Sequence, residues 1–331
     1  MAQHSEVLAA ATATNGAFSR RLPGLQTTVD STSLGTFKEC PRKYYYAIIQ
    51  GWEPRLRSVH LTFGIWLHEA REEYEQARAR GIGHEAALSA VVQSAMVKTW
   101  DKALGRGWWS DHKLKNRMTL LRSIVWYLDE HGQHDQLETV ILANGRPAVE
   151  LTFQFDSGLR SASTGEAIAF AGHLDRIARL GSEVYIADIK TTGQSIGPGF
   201  LKDFTPGNQF SMYALAGRVA FAQPIAGIIV DGLQVAVGFT RSMRGLVSRT
   251  ATQLDEWLAA AGWWLRSMED CAQEGQTAGE AAWPQNDKSC HNYSGCQFRE
   301  VCGASPSLRP RLLEAGFAKR VWDPTKARGE V

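Results

Sequence analysis

The sequence predicts a single α/β domain with a helical insertion at about residues 80–145. Three observations point to this class: a helical apolar period opens the core, strand-like alternation of β-branched and aromatic residues follows, and a helix and a further strand close it. The predicted strands are 147–155, 167–180, 183–190 and 226–239, the last broken at Gly232. The predicted helices of the core are 61–80 and about 208–222.

The flanking segments complete the layout. Residues 31–49 predict a short helix, a turn at Cys40-Pro41 and an aromatic segment. Further amphipathic helices are predicted at about 84–104 and 116–131, and a long helix from near Thr252, where Thr252 and Asp255 form a weak capping signal. We expect residues 1–29, rich in Ala and Thr, to form a disordered arm, residues 30–304 to form the folded domain, and residues 305–331 to form a C-terminal tail.

Composition limits the function classes. The 331 residues are 44% hydrophobic, enough for a substantial core. With 36 basic and 34 acidic residues the net charge is +2, so a nucleic-acid site would have to be a local groove. No stretch approaches the length of a membrane span, and the N-terminal residues lack the pattern of a secretion signal, so we expect a cytosolic protein.

The turn between two predicted strands sets the register of two aspartates. If Gly181 and Ser182 form a two-residue turn, facing residues have numbers that sum to 363, and Asp175 stands opposite Asp188. Facing carboxylates repel, and Lys190 lies on the same face as Asp188. A divalent cation between the aspartates would cancel the repulsion, and the lysine could hold a phosphate oxygen or a water. The alternative is that D-x-K marks only a solvated strand face.

Two helical patterns are consistent with a site near these aspartates. Leu61, Ile65, His68 and Glu72 follow a single helix stripe, so His68 is expected to face the core, and Gly64 leaves room beside it. Gln209 and Tyr213 share a face one turn apart on the helix at about 208–222. Each pattern alone is more often structural, as a hydrogen-bonded core histidine or as packing with a polar tip.

The motifs in this order resemble the RecB-like branch of the PD-(D/E)XK nuclease superfamily. They are the helix with His68, then G-x-x-D-R at 172–176, D-x-K at 188–190 and Q-x-x-x-Y at 209–213. The cysteines extend the likeness: one ahead of the core and three behind it resemble the iron–sulfur clasp of AddB-type nucleases and of the CRISPR-associated adaptation nuclease. Together these features span about residues 33–302.

The resemblance implies a restriction-endonuclease-like core, in which helices flank a central mixed β-sheet, with an iron–sulfur clasp that joins the N- and C-terminal parts. It also implies a site that holds Mg²⁺ or Mn²⁺. The implied metal ligands are His68, Asp175, Asp188 and the backbone carbonyl of Ile189.

The resemblance assigns roles to the other site residues. Lys190 would orient or activate the attacking water and stabilise charge on the phosphate. Gln209 would help to position that lysine or the nucleic acid, and Tyr213 would support the helix against the site. Glu150 lies on the preceding strand, where similar nucleases often have an acidic residue, but its role could be structural.

Four of the five cysteines are the candidate cluster ligands. Cys290, Cys296 and Cys302 are spaced C-x5-C-x5-C in a polar, turn-rich segment, and Cys40 stands alone near the front. A zinc site usually has C-x2-4-C pairs, which the chain lacks, so this wide spacing is more compatible with a [4Fe-4S] cluster. Cys271, in a predicted helix, is the one left over.

These features together predict a metal-dependent DNA nuclease, an exonuclease that acts on DNA ends or single strands in replication, recombination or repair. No G-K-[ST] motif is present, so we expect it to work beside a helicase, a recombinase or a single-strand-binding protein. The basic segment 110–122 could follow a DNA backbone, although such a run is more often a solvated face. The alternative function is a non-catalytic DNA-binding or assembly module that keeps the fold and the cluster.

Overall fold

A computed structural model describes residues 16–221, 224–292 and 295–326 of the chain. Within those ranges no helix is both long and apolar enough to cross a bilayer. The α-helices are α1 (Ser31–Glu39), α2 (Pro41–Tyr44), α3 (Val59–Ala79), α4 (His84–Lys98), α5 (Arg117–Gly132), α6 (Pro198–Lys202), α7 (Asn208–Val219), α8 (Ala251–Ala278), α9 (Arg299–Gly303) and α10 (Arg309–Gly316).

The strands fall where the alternation predicts the longest ones, with several short ones added. They are β1 (Thr28–Val29), β2 (Trp52–Pro54), β3 (Trp100–Asp101), β4 (Arg106–Gly107), β5 (Glu138–Thr139), β6 (Val149–Arg160), β7 (Ala167–Leu180), β8 (Glu183–Thr192), β9 (Ile225–Val235), β10 (Thr240–Val247) and β11 (Phe317–Lys319).

The described residues form two compact units. The first consists of 57–151 and of 174–249, apart from the two undescribed residues 222 and 223. The second consists of 16–56, 152–173, and the described residues from 250 onward. The chain passes from one unit to the other within β6 and within β7.

The first unit is built on a mixed sheet. The C-terminal part of β7 pairs antiparallel with β5 and with β8. Strand β8 pairs parallel with β9, and β9 pairs antiparallel with β10. The paired residues of β7 and β8 run from Arg176↔Ala187 to Leu180↔Glu183, so their numbers sum to 363 as predicted. Gly181 has φ +62°, the left-handed conformation that a tight hairpin turn requires.

Helices cover both faces of this sheet, which confirms the predicted fold class. Helices α3, α4 and α5 pack on one another and, with Leu233 and Val235 of β9, form one apolar cluster. Gly232, between Asp231 and Leu233, faces the other side, where a Cβ would lie 2.6 Å from the Phe200 ring of α6. The predicted break at Gly232 is therefore wrong: the strand is continuous, and the glycine leaves room for a ring.

The second unit has its own aromatic core. Tyr44 packs against Trp283 and against Phe37, with ring centroids 5.7 and 5.4 Å apart. Thr28 of β1 pairs in parallel with Ala169 of β7. Strands β2 and β11 form a separate antiparallel pair.

Both ends of the second unit are more ordered than the sequence predicts. Of the arm predicted for residues 1–29, residues 1–15 lie outside the described residues, and the rest is folded, since Leu25 and Val29 are buried. The predicted tail from residue 305 contains α10 and β11, with Leu313 and Phe317 buried. In both segments the apolar side chains supply the burial that stabilises a fold.

The cap of helix α8 lies two residues earlier than predicted. The Thr250 side chain accepts a hydrogen bond from the Gln253 N–H, so Thr250 and not Thr252 is the N-cap. The Gln253 side chain in turn accepts a hydrogen bond from the Thr250 N–H at 2.9 Å. This reciprocal pair satisfies two backbone donors at the helix start.

Candidate metal centre

Helix α3 presents His68 at the edge of its buried face. The buried row is Phe63, Leu67, Ala70 and Tyr74, whereas Leu61 at the start of the predicted stripe is 53% exposed. The predicted stripe is therefore not the row that packs, and the prediction that His68 faces the core is wrong. Two rows of the helix have the same spacing, and the row with the larger apolar side chains is the one that packs. The His68 side chain is 19% exposed, so it borders the core and can be reached from solvent.

Three side chains from three elements converge beside that helix. The His68 Nδ1 atom lies 3.3 Å from Asp175 Oδ2 and 3.7 Å from Glu150 Oε1. Among the described residues, these three form the group whose ligand atoms all lie within 4.8 Å of one another. One imidazole nitrogen and two carboxylates form a donor set that suits Mn²⁺ or Mg²⁺. The chemistry of the group therefore fits a divalent cation.

Glu150 enters this group from an unusual backbone conformation. Its φ is +48°, and among the described residues other than glycine it is the one with a positive φ. Such a conformation costs about 1–3 kcal/mol and often occurs at functional sites. The sequence does not distinguish a structural role for Glu150 from a functional one, because no local pattern indicates the conformation that turns its carboxylate toward His68.

Asp175 is held by the neighbouring strand. The backbone N–H of Ile189 donates a hydrogen bond to Asp175 Oδ2 at 3.0 Å. Asp175 is 7% exposed. The Ile189 side chain belongs to the apolar cluster of α3, α4 and α5, so one residue contacts both the carboxylate and the core. Because the amide and not the carbonyl of Ile189 makes this contact, the predicted carbonyl ligand stays a prediction.

Asp188 and Lys190 form an ion pair next to the three-residue group. The Lys190 Nζ atom lies 2.5 Å from Asp188 Oδ2. Asp188 is 1% exposed, and it is not one of the three residues whose ligand atoms all lie within 4.8 Å of one another. Burial, reinforced by the charge of Asp175, raises the pKa of Asp188 to about 6, although Lys190 and His68 oppose the shift. A positive charge brought to this carboxylate would stabilise its ionised form.

Helix α7 contributes a neighbour that the sequence did not indicate. The Lys190 Nζ atom lies 5.5 Å from the Phe210 ring, within reach of a cation–π contact. Gln209 Nε2 donates a hydrogen bond to the buried Tyr213 hydroxyl at 2.9 Å. The predicted pair is thus joined, and the Gln209 amide is directed to Tyr213.

A cavity of about 10 Å³ opens at the group, which is about the space of one water molecule. Its polar lining comes from His68, Arg71, Glu72, Glu150, Asp175, Arg176 and Asp231. The cavity is therefore small and charged, as a site for a single ion would be.

The cavity borders a largely buried network of three arginines and three carboxylates, of which only Arg176 belongs to a motif named from the sequence. Arg244 contacts Asp231 at 3.0 Å, and Arg176 lies 3.6 Å from Glu75 and 3.9 Å from Asp135. Arg71 of α3 pairs with Glu75 one turn later. The network balances its own charges, so it ties α3 to β7, β9 and β10 without adding net charge beside the candidate site.

The four candidate cluster cysteines lie in the second unit. The Asn286 backbone accepts a weak hydrogen bond from Cys290 at 3.8 Å and donates one to Cys40 Sγ at 3.4 Å. Cys296 and Cys302 pack beside the buried Tyr46 and Phe298. Burial raises the pKa of the Cys302 thiol to about 11, and the charges of Cys296 and Cys40 add to the shift.

The thiols do not by themselves make a close metal-binding group. Within the described ranges, no group of three or more cysteines has ligand atoms that all lie within 4.8 Å of one another. Cys271 lies apart on α8, where burial and the charge of Asp270 raise its pKa to about 11. Cys40, Cys290, Cys296 and Cys302 therefore stay the predicted set for a cluster.

The comparison with protein families agrees with the fold. The family model of the PD-(D/E)XK nuclease superfamily matches residues 31–303. No curated protein matches the chain. A solved structure named "Putative exonuclease", from Eubacterium rectale, is 12% identical with a TM-score of 0.44, over 81% of this chain and 88% of that one. The solved structure of SSO0001 is 10% identical with a TM-score of 0.32, over 74% and 76%.

Proposed function

Because the chain belongs to the PD-(D/E)XK nuclease superfamily, we propose that it is a metal-dependent nuclease that removes nucleotides from DNA ends or single strands. The observation that carries this proposal is the meeting of His68, Glu150 and Asp175 beside the Asp188–Lys190 ion pair. This meeting brings a cation-binding donor set next to a partly buried ammonium, and phosphodiester hydrolysis needs positive charge of both kinds.

The proposed site has two parts. His68, Glu150 and Asp175 would hold Mg²⁺ or Mn²⁺, with Asp188 and the Ile189 carbonyl as the further ligands that the family resemblance implies. A bound divalent cation lowers the pKa of a water and offsets negative charge on a phosphate. The family match covers the nuclease superfamily as a whole. We propose in addition an exonuclease preference, membership of the RecB-like branch and a role in repair or recombination.

The residues of the chain would act on the substrate as follows. The Lys190 ammonium, held by Asp188, would donate a hydrogen bond to a non-bridging phosphate oxygen or to the attacking water. The Phe210 ring beside it limits the positions that the ammonium can take. Tyr213, joined to Gln209 by a hydrogen bond along the same helix, would support α7 against the site, and Gln209 would help to position Lys190 or the nucleic acid.

The test is a cleavage assay on end-labelled single- and double-stranded DNA with Mg²⁺ or Mn²⁺. Wild-type protein should shorten the labelled strands only when the metal is present. Lys190→Met and Asp188→Asn should each lower the cleavage rate by about a hundredfold or more. Lys202→Met and Asp156→Asn are matched controls, because these side chains are exposed and do not line the cavity at the metal centre.

The outcomes separate the enzyme from its alternative. Mononucleotide products that accumulate from one end support an exonuclease, and internal fragments support an endonuclease. Protein that binds DNA but gives no metal-dependent product, or site variants that cleave as fast as the wild type, would leave the non-catalytic DNA-binding module as the better interpretation.

We also propose that Cys40, Cys290, Cys296 and Cys302 hold a [4Fe-4S] cluster. The support is the chemistry of the donor set: the thiols flank the Asn286 backbone and one aromatic cluster, and burial raises the pKa of Cys296 and Cys302. Partly buried thiols of this kind ionise readily only beside a positive centre. The cluster would be structural, since it would join the start of the fold to its end.

Anaerobic purification tests the cluster without an activity assay. The protein should be brown and contain about four irons with matching acid-labile sulfide per chain. Cys296→Ala should lose both, whereas Cys271→Ala should keep them. Colourless protein with stoichiometric zinc would contradict the proposal. The cytosolic setting and a helicase, recombinase or single-strand-binding partner are part of the same proposal, and the free thiols suit a reducing compartment.

A further inference from the structure

A short hairpin between α4 and α5 carries most of an exposed aromatic surface. Trp100 pairs with Gly107, and Asp101 pairs with Arg106. The Asp101 side chain accepts hydrogen bonds from the N–H groups of Ala103 and Leu104 at 2.9 and 3.0 Å, which fixes the turn. The hairpin is therefore a defined platform and not a loose loop.

An arginine fastens this hairpin to the helices. Arg117 Nε donates a hydrogen bond to Thr99 Oγ1 at 2.9 Å, and its guanidinium lies 5.8 Å from the Trp100 ring centroid. The Arg117 stem also fills the space beside Gly107, where a Cβ would lie 2.6 Å from it. Trp108 packs edge-on against Trp66 of α3, with centroids 4.8 Å apart.

The hairpin and α3 border a cleft of about 430 Å³, a size typical of ligand sites. Large apolar side chains stand exposed on its walls: Trp100 is 47% exposed, Leu104 61% and Trp109 68%. Isolated apolar residues on a surface need no explanation, but three around one cleft mark a binding surface.

The charge around this cleft favours a polyanion. Residues 98–122 contain seven basic and two acidic side chains, and six of the basic ones remain when the buried Lys115 is set aside, in a chain whose net charge is only +2. The charged side chains that line the cleft itself are Arg106, Lys98 and Asp101, and Lys98 pairs with Glu73 at 2.6 Å and with Glu69 at 3.0 Å. Exposed aromatic rings within a basic surface are the combination that binds unpaired nucleotides, through stacking and phosphate contacts.

We propose that this cleft binds unpaired bases of single-stranded DNA, which stack on Trp100 and Trp109 while their phosphates contact Arg106 and its basic neighbours. The proposal rests on the proposed nuclease function, since it names where the substrate is held away from the scissile bond. Duplex DNA keeps its bases stacked on one another, so only single strands or frayed ends could use these rings.

The position of the cleft predicts a length dependence. Trp66 and His68 are two positions apart on α3, so they point to opposite sides of one helix. A strand that reached from the tryptophans to the metal centre would pass around α3 and span several nucleotides. Substrates too short to make that span should lose the contribution of the cleft.

The experiment measures binding without cleavage. Fluorescence anisotropy in EDTA compares an oligothymidylate with an abasic oligonucleotide of the same length, which has the phosphates but no bases. Wild-type protein should prefer the thymidylate. The double variant Trp100→Ala/Trp109→Ala should lose about tenfold in affinity for the thymidylate and little for the abasic strand. Arg106→Ala should weaken both probes, more at low salt.

Trp126→Ala is the matched control, because that side chain is 44% exposed on α5 but does not line the cleft. It should bind both probes like the wild type, and thermal melts should show that every variant is folded. Equal affinity of the double variant and the wild type would overturn the proposal. So would an equal loss on both probes, or wild-type protein that binds neither.

A small chromogenic phosphodiester with Mn²⁺ keeps the two proposals distinguishable. Its hydrolysis needs only the metal centre, so the tryptophan double variant should retain the wild-type rate while Lys190→Met loses it. Wild-type protein that binds the thymidylate through the tryptophans but hydrolyses neither DNA nor the ester would contradict the nuclease proposal and support the cleft alone.

Discussion

The Lys190 ammonium lies 2.5 Å from a carboxylate oxygen of Asp188, whose side chain is 1% exposed. The pair joins a residue that burial makes difficult to ionise to one that keeps a path to solvent, since the Lys190 side chain is 28% exposed. The protein therefore keeps a carboxylate in an unfavourable environment where a packed apolar side chain would stabilise the fold more.

The first prediction is that Asp188→Asn stabilises the metal-free protein while it lowers the cleavage rate by about a hundredfold or more. A folded-state pKa of about 6 means that the ionised carboxylate opposes folding above that pH, since the unfolded pKa is 3.8. We expect a gain of about 1–3 kcal/mol at pH 7.5, since the pKa of about 6 already includes the favourable effect of Lys190. Urea denaturation in EDTA measures it, and a less stable variant would contradict the prediction.

The second prediction separates the backbone of Glu150 from its carboxylate. Glycine accepts a φ of +48° freely, so Glu150→Gly should be about 1 kcal/mol more stable than Glu150→Gln, which keeps the strain. Both changes remove a ligand and should weaken Mn²⁺ binding at least tenfold by calorimetry. If the glutamine variant bound Mn²⁺ as tightly as the wild type, Glu150 would not be a ligand.

The third prediction concerns pH. Lys115 is 3% exposed with its ammonium 4.2 Å from the Phe63 ring centroid, and desolvation lowers its pKa from 10.5 to about 8. Between these two values the unfolded chain binds more protons than the folded one, so stability should rise as pH increases from 8 to 10.5.

Lys115→Met should remove this rise and add about 1–3 kcal/mol of stability at pH 7. Lys113→Met, at an exposed neighbouring position, should leave the pH profile unchanged. Chemical denaturation across the pH range measures both. If the wild-type stability fell between pH 8 and 10.5, and the Lys115→Met profile ran parallel to it, Lys115 would not be the source of the pH dependence.

The fourth prediction tests the buried charge network. Asp231 is fully buried and accepts hydrogen bonds from the Tyr127 hydroxyl at 2.7 Å and from Arg244 at 3.0 Å. Arg244→Met leaves Asp231 and Asp135 without that cation and should cost about 3 kcal/mol. The double change Arg244→Met/Asp231→Asn should recover part of the loss, as a double-mutant cycle in urea would show. Additive losses would mean that the two residues act separately.

The features that depend on local geometry could be predicted from the sequence. The register of β7 and β8 follows from the glycine at their turn and the alternation of side chains, so these two local rules are enough to set the pairing from Leu180↔Glu183 to Arg176↔Ala187. The helices around the sheet and the D-x-K ion pair follow from short-range patterns in the same way.

The features that the sequence could not predict depend on competition between distant groups. Two rows of α3 had the same apolar spacing, and only packing against α4 and α5 selects Phe63 and Leu67 over Leu61. The positive φ of Glu150 depends on tertiary context, and the Trp66–Trp108 contact joins residues 42 positions apart. None of these has a sequence signature of its own.

The double role of Ile189 constrains how this protein can change over evolutionary time. Ile189 donates its amide to Asp175 and places its side chain among the apolar residues of the helical cluster. A substitution that reshapes that cluster would shift the backbone N–H that orients the Asp175 carboxylate. Selection would therefore act on mutations of these buried residues through catalysis as well as through folding. Sequence changes in the apolar cluster and changes in the activity of the site are therefore not independent in this chain.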